Sequence, residues 1–447
     1  MTSSRLAVWA GILLHAIATL QPAPAATLAV TSFQDAPDSS PGNGFCAAVS
    51  LPGAPCTLRA AIMEANANGE SDMIELSAGV YVLSIAGIDE NAAATGDLDI
   101  TAAAAIRCLD CQAVIDGGGL DRVFDVRPGT FDVGFTNLTI RNGNATNSNA
   151  ALDTFAGGAI RFLNGSDLFS EMHRCHLLDN RAGVGGAIYA DGASPPDVFQ
   201  LDVFDSEFAG NLVEGGAADA QGAAIYSRGH LVIASSSLHD NGSTVSGRLF
   251  GIGATIWHAE RELQLLDSTV DGGSAQGIYK TNGNLSLRNV TITDNATSGV
   301  SWRSDGVVPA TFWLRNSIIA GNAADGGSDC FLLPTAPSGL DNNGYNIDGG
   351  TDCNLSTADG NQSLVSLDAA LGPLRRDLDL PARFPKPGGP ASNAASPDTL
   401  GSTVSACGHY DQLGNSHLLG GRCDIGAVEY AGLFKNGFEN FIIILPP

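Results

Sequence analysis

Asp179, Asp240 and Asp294 each stand directly before an asparagine, in Leu177-Leu178-Asp179-Asn180, Leu238-His239-Asp240-Asn241 and Ile292-Thr293-Asp294-Asn295. If these phrases repeat one structural step, the three carboxylates project from one corner of successive turns. Two carboxylates roughly 5 to 9 Å apart are the machinery of glycoside hydrolysis, one donating a proton and the other acting as base or nucleophile. The three aspartates are therefore the catalytic candidates. Asp-Asn is also ordinary turn chemistry, because short polar side chains bond their own backbone and tolerate the left-handed conformation. Gly210 and Gly321 hold the same place before Asn211 and Asn322, so the row is interrupted. A second acidic group, Asp89, Glu90, Asp97 and Asp99, offers oxygen ligands for Ca2+ without the spacing of an EF-hand loop. There is no glycine-rich phosphate loop, no zinc-ligand spacing and no Ser-His-Asp context. No cofactor is required by these motifs, and Ca2+ is the candidate that remains.

The elements that would position these residues repeat. An apolar run, a polar step ending in Asn and a Gly-rich turn recur at Asn142, Asn180, Asn211, Asn241, Asn295 and Asn322. The intervals are 38, 31, 30, 54 and 27 residues, and the 54 splits in two if Asp271-Gly272-Gly273 fills a turn. Such periods are those of a solenoid, in which one coil cannot bury its own apolar side but stacked coils share a core. The six asparagines are expected to stack as a ladder. Three positions before them, Thr139, Leu177, Phe208, Leu238, Ile292 and Ile319 are expected to form a core ladder. Gly157-Gly158-Ala159-Ile160 recurs as Gly185-Gly186-Ala187-Ile188, Gly222-Ala223-Ala224-Ile225 and Gly253-Ala254-Thr255-Ile256. Coils joined in this way need parallel strands with right-handed connections. The fold class read here is all-β, a right-handed parallel β-helix with a short N-terminal capping helix beginning at Thr57. Tyr189, Tyr226 and Tyr279 each follow an Ile at the Gly corner and would form an aromatic strip, either packing surface or a platform for sugars.

Bulk properties narrow the function. Acidic residues outnumber basic ones 47 to 22, a net charge of −25. Nucleic acid as a partner is excluded, because its recognition needs clustered Lys and Arg. Arg5 followed by the apolar stretch 6–20 and Ala23-Pro24-Ala25 reads as a secretory signal, with the mature chain starting near Ala26 and carrying no transmembrane helix. Export makes the nine cysteines disulfide candidates. Close spacing suggests Cys46 with Cys56, Cys108 with Cys111, Cys330 with Cys353 and Cys407 with Cys423. Cys175 is left over. It sits five residues before Asn180, as Ser206, Ser236 and Ser317 sit before Asn211, Asn241 and Asn322, so it reads as a buried member of a serine stack.

Cys56-Thr57-Leu58-Arg59-Ala60-Ala61-Ile62-Met63-Glu64-Ala65-Asn66 resembles the signature of the CSLREA-type domain at the head of secreted right-handed β-helix proteins of the pectin-lyase-like fold, with Thr57 and Ala60 in place of Ser and Glu. Gly96-Asp97-Leu98-Asp99-Ile100 and the run 115–124 extend the match. Cys423-Asp424-Ile425-Gly426-Ala427-Val428-Glu429-Tyr430 resembles the end of a choice-of-anchor domain, and 433–439 a short tail motif of secreted bacterial proteins. The resemblance implies a signal peptide at 1–25, a capping region at 26–108, the β-helix at 109–380, a C-terminal capping segment at 381–430 that closes the far end, and a tail at 431–447. It implies an exported, surface-associated protein. Lyases on this fold hold Ca2+ with clustered acids and use Arg or Lys as base, which makes Arg174 and Arg181 candidates for that role. The leading expectation is a monomeric, non-enzymatic binding or adhesion module for polysaccharide or cell-surface components. A polysaccharide lyase or glycoside hydrolase acting on the side of the column is the alternative, and a purely structural rod the third.

Overall fold

The computed structural model describes residues 26–430 apart from 70, 89, 128, 130–131, 148–154, 164–168, 193–198, 215–219, 246–250, 323–327, 365, 399–406 and 418–421. The expected signal peptide and the tail 431–447 lie outside the described residues.

The chain winds as a parallel β-helix with three strand-bearing sides. On the first side, Asp72–Leu76, Ala104–Cys108, Val133–Thr136, Phe169–His173, Gln200–Phe204 and His230–Ala234 pair in parallel, each with the strand one coil on. The second side runs through Leu138–Arg141, His176–Leu178, Glu207–Ala209 and Ser237–His239. Leu263–Asp271 and Leu285–Thr293 are long enough to serve both sides, turning at the left-handed residues Asp267 and Asn289. The third side is a nine-stranded sheet from Leu98–Ile100 to Ser328–Pro334. Alternation fills the interior. In Gln200–Phe204, Leu201 and Val203 point in while Gln200, Asp202 and Phe204 are half-buried outside. Burying a Leu or Val contributes roughly 1.5–3 kcal/mol relative to exposure, and every coil repeats this, so the interior becomes one continuous cluster.

Two ladders align the coils. In the first, the Cys175 N–H donates to Ser206 Oγ, Ser206 to Ser236 and Ser236 to Ser268, each at 3.1 Å. The nitrogens of Asn180 donate to Asn211 Oδ1, those of Asn211 to Asn241 Oδ1, and those of Asn295 to Asn322 Oδ1, at 2.9–3.1 Å. Gly273 fills the missing rung and donates to Asn295 Oδ1. Asn142 departs from the expected ladder. Leu177 pairs with Ile140, so Asn142 falls opposite Asp179 and Gly143 opposite Asn180. Ile140, not Thr139, is accordingly the core residue of that coil.

The helix Leu58–Asn68 starts at Thr57, whose side chain accepts from Ala60 N, and ends at the left-handed Gly69. It buries Leu58, Ala61, Ile62 and Ala65 against the first coils. Arg59, also buried, bonds Asp35 and the carbonyls of Ala93, Gly96 and Asp97, which fixes the acidic loop. All four spaced cysteine pairs are disulfides and Cys175 is a buried free thiol.

The C-terminal segment does more than close the far end. The hairpin Leu371–Arg375/Ala382–Pro385 and the residues after it reach back along the second side. Ser237 Oγ donates to Pro381 O, Thr269 Oγ1 to Gln412 Oε1, and Ala427 N to Thr291 Oγ1. The cause is apolar. Ile318, Ala320 and Ile347 turn outward on the last coils and need Leu371, Ala391, Ala395 and Ile425 to cover them. Among the described residues no helix is long and apolar enough to cross a membrane.

Candidate functional site

Asp179, Asp240 and Asp294 do share one corner, with φ of 55°, 54° and 54°. Gly210 and Gly272 occupy the coils between them, also left-handed. A side chain at either glycine would meet the aspartate of the preceding coil. A Cβ on Gly210 would lie 2.5 Å from Asp179 Oδ1, and one on Gly272 3.1 Å from Asp240 Oδ1, so each carboxylate leans across the next coil. The aspartates are thus two coils apart. At about 4.8 Å per strand that is roughly 10 Å, beyond the spacing of a retaining pair and at the outer limit of an inverting one.

Two of the three are taken by arginines of the C-terminal hairpin. Arg376 grips Asp240 through bonds of 2.9 and 3.0 Å. Arg383 bonds Asp294 and also Asp271, the latter at 2.5 Å. Asp240 is further tied into a polar chain along the second side. His176 Nδ1 meets Glu207 Oε2 at 2.7 Å, Glu207 Oε1 meets His239 Nε2 at 2.9 Å, and His239 Nδ1 meets Asp240 Oδ2 at 2.9 Å. Burial alone would raise Glu207, yet the two histidines hold it down at about 2. Burial would lower both histidines, and Glu207 raises them above their ordinary range.

Asp179 differs from its two counterparts. It is exposed, and no described side chain bonds its carboxylate. It lines a concavity of about 430 Å³ together with Gly118, Gly119, Asn142, Asn144 and Arg181. Arg181 is half exposed and only loosely paired with Glu214, at 3.6 Å. The Asn142 amide donates to Asp116. The concavity therefore offers an anionic acceptor, a cationic donor and an amide. Arg174, by contrast, is held on Asn137 at 2.7 Å.

The acidic group near the head is brought together in part. Asp89 lies outside the described residues. Glu90 accepts from Ala92 N and Thr95 N. Asp97 and Asp99 are buried and lie, with Asp125, within 4.8 Å of one another. Asp125 was not singled out in the sequence. The signal was present in two matching triplets, Leu98-Asp99-Ile100 and Phe124-Asp125-Val126, which pair in register. Asp99 Oδ1 has no hydrogen-bond partner. Burial raises Asp97 well above its ordinary value and Asp99 to about 7. Arg122 bonds Asp97, while Arg127 and Arg161 both bond Asp125. Three guanidiniums thus already neutralise this cluster.

The aromatic strip exists and gains Trp257. Tyr189, Tyr226, Trp257 and Tyr279 lie in register on the third side. Their rings stack with centroids 5.0, 4.6 and 6.2 Å apart. The faces are therefore spent on one another, and edges rather than faces meet the solvent.

No family model matches the sequence, and no curated protein matches it. Among solved structures the chain is similar to the crystal structure of pectate lyase Pel9A, at 14% identity and a TM-score of 0.38, covering 90% of this chain and 96% of that one.

Proposed function

We propose that this chain is an exported β-helix that binds a hydroxyl-rich glycan on its side without cleaving it. The observation that carries the reading is the contrast within one row. Asp240 and Asp294 are neutralised by Arg376 and Arg383, whereas Asp179 opens into a polar concavity beside Arg181. A sugar hydroxyl can donate to Asp179 and accept from Arg181. Asp179 is the one carboxylate among the described residues that line this concavity, and a lone carboxylate makes a poor acid–base pair. The four disulfides support export, as do the signal-like N-terminus, the CSLREA-type head and the anchor-type tail.

The test is a panel of soluble polysaccharides with purified mature protein, with and without Ca2+, scored for retention and for new chain ends. Retention without cleavage, lost in Asp179→Ala and in Arg181→Ala, is the expected result. New chain ends abolished by Asp179→Ala or Asp240→Ala would overturn it and make the protein an enzyme.

A further inference from the structure

Three successive coils meet at the concavity beside Asp179. Gly118 and Gly119 come from the first, Asn142 and Asn144 from the second, and Asp179 and Arg181 from the third. Two strand spacings give it a length of roughly 10 Å along the column. A Cβ on Gly119 would meet nothing within 4 Å, so the floor leaves room for a ring.

The charges around this space do not balance. Asp116 is spent on Arg141 at 2.9 Å, on the Asn142 amide and on Gly118 N. Glu214 is set against Arg181 at 3.6 Å. Asp179 has no such counterpart among the described side chains. Three carboxylates thus share two guanidiniums, and the one left over lines the open space. Asp240 and Asp294, of the same row, each hold an arginine of the hairpin.

That imbalance selects among sugars. An acidic sugar would have to displace Glu214 from Arg181 and lie against Asp179. A neutral sugar meets Asp179 through an ordinary hydroxyl bond. An amino sugar meets it through a charge-assisted bond, roughly twice as strong as a neutral one, and its ring hydroxyls still accept from Arg181. Glu214 offsets the repulsion between Arg181 and the ammonium group. The net charge of −25 has the same bias, because its field concentrates cations near an acidic recess and disperses anions.

We propose that the ligand of this concavity is a glycan of amino sugars, whose protonated amine bonds Asp179 and whose hydroxyls accept from Arg181. The proposal rests on the glycan-binding reading above and names the sugar class.

The experiment is calorimetric titration of the full mature chain, at a pH where the sugar amine is protonated. The probes are oligomers of equal length of glucosamine, N-acetylglucosamine, glucose and galacturonate, with oligolysine as the control for charge alone. Glucosamine is expected to bind about tenfold more tightly than the N-acetylated and glucose oligomers, and galacturonate most weakly. Asp179→Asn, which a left-handed corner tolerates, should remove that preference. Asp352→Asn discards the same charge at an exposed site elsewhere and should keep it. Equal affinity for the glucosamine and uncharged oligomers, a preference for galacturonate, oligolysine bound as tightly as glucosamine, or a preference lost equally in Asp352→Asn would overturn the proposal. In each of those cases a sugar is still bound, so the class fails and the glycan reading stands. If no oligosaccharide is bound, both fail.

Discussion

Arg376 and Asp240 are 136 residues apart in sequence and meet through two hydrogen bonds on the side of the column. The contact closes a five-membered polar chain, His176, Glu207, His239, Asp240 and Arg376, that joins three coils to the hairpin. Seven residues on, Arg383 makes the same kind of contact with Asp294 and also holds Asp271, the latter far less exposed to solvent.

That difference in exposure sets the first prediction. The Arg376–Asp240 pair is 56% and 43% exposed, so Arg376→Ala should cost no more than about 1 kcal/mol. The Arg383–Asp271 pair is 11% and 2% exposed. Arg383→Ala leaves Asp271 buried and unpaired, and should cost about 3–5 kcal/mol. Denaturant midpoints measure both. Equal losses would show that the hairpin is held by its apolar contacts instead.

Attachment of the C-terminal segment should weaken in alkali. His417 is buried between Asp267 and Glu429. Burial opposes its charge, but bonds to the two acids push it up to about 9. A raised histidine gives its full stabilisation below its unfolded value of about 6.5 and loses it as pH rises toward the folded value. His176 and His239 act in the same direction. Glu207, held at about 2, stabilises above about 4.3 and fails only as pH falls toward 2. Thermal melts from pH 5 to pH 10 should therefore decline above about 6.5, and His417→Gln should flatten the decline.

Asp99 gives a signature of the same sign at the head. Burial holds its folded value at about 7, so its contribution is full below about 3.9 and lost as pH rises through 7. Asp99→Asn should melt higher than the parent chain at pH 8. Because Arg122, Arg127 and Arg161 already compensate the cluster, millimolar Ca2+ is expected to leave the melting temperature of the parent unchanged. A rise that disappears in Asp99→Asn would show that the cluster holds the cation.

Asn211 and Asn142 test the ladder. Asn211 is fully buried and bonds Leu177 O, Asn180 and Asn241. Asn211→Ala orphans several buried groups at about 1–3 kcal/mol each. Asn142→Ala touches an amide at the solvent-facing corner and should cost about 1 kcal/mol, chiefly for placing Ala at a left-handed residue. Chemical denaturation distinguishes the two directly.

Cys175 should resist maleimide labelling in the native state, because burial raises its thiol to about 12 and it lies inside the serine stack. One thiol per chain should react after unfolding without reductant. Labelling of the folded protein would contradict its burial.

The residues that proved readable in sequence are those fixed by the coil itself. Asn180 to Asn322, the Cys175 stack and the rung at Gly273 follow from one period, because each coil repeats the same turn geometry. Asn142 misled because Asn and Asp serve equally well at a left-handed corner, so the word repeats while the position slips by one. Arg376 on Asp240 and Arg383 on Asp294 left no trace, since a segment folding back over 136 and 89 residues has no period to betray it.

The asparagine ladder has a direction. Except at Asn241, whose next rung Gly273 has no side chain to accept, the rungs donate toward the C-terminal coils, from Gly143 onto Asn180 at one end to Asn322 onto Asp329 at the other. Aligned amides of this kind add like small batteries in series, with the positive pole at Asn322 and the Asp329 carboxylate seated on it as terminal counter-charge. The column is electrically polar along its length. A duplicated coil could be spliced between Asn180 and Asn241 without disturbing that alignment, whereas one added after Asn322 would have to carry an acceptor of its own or displace the anion that ends the series.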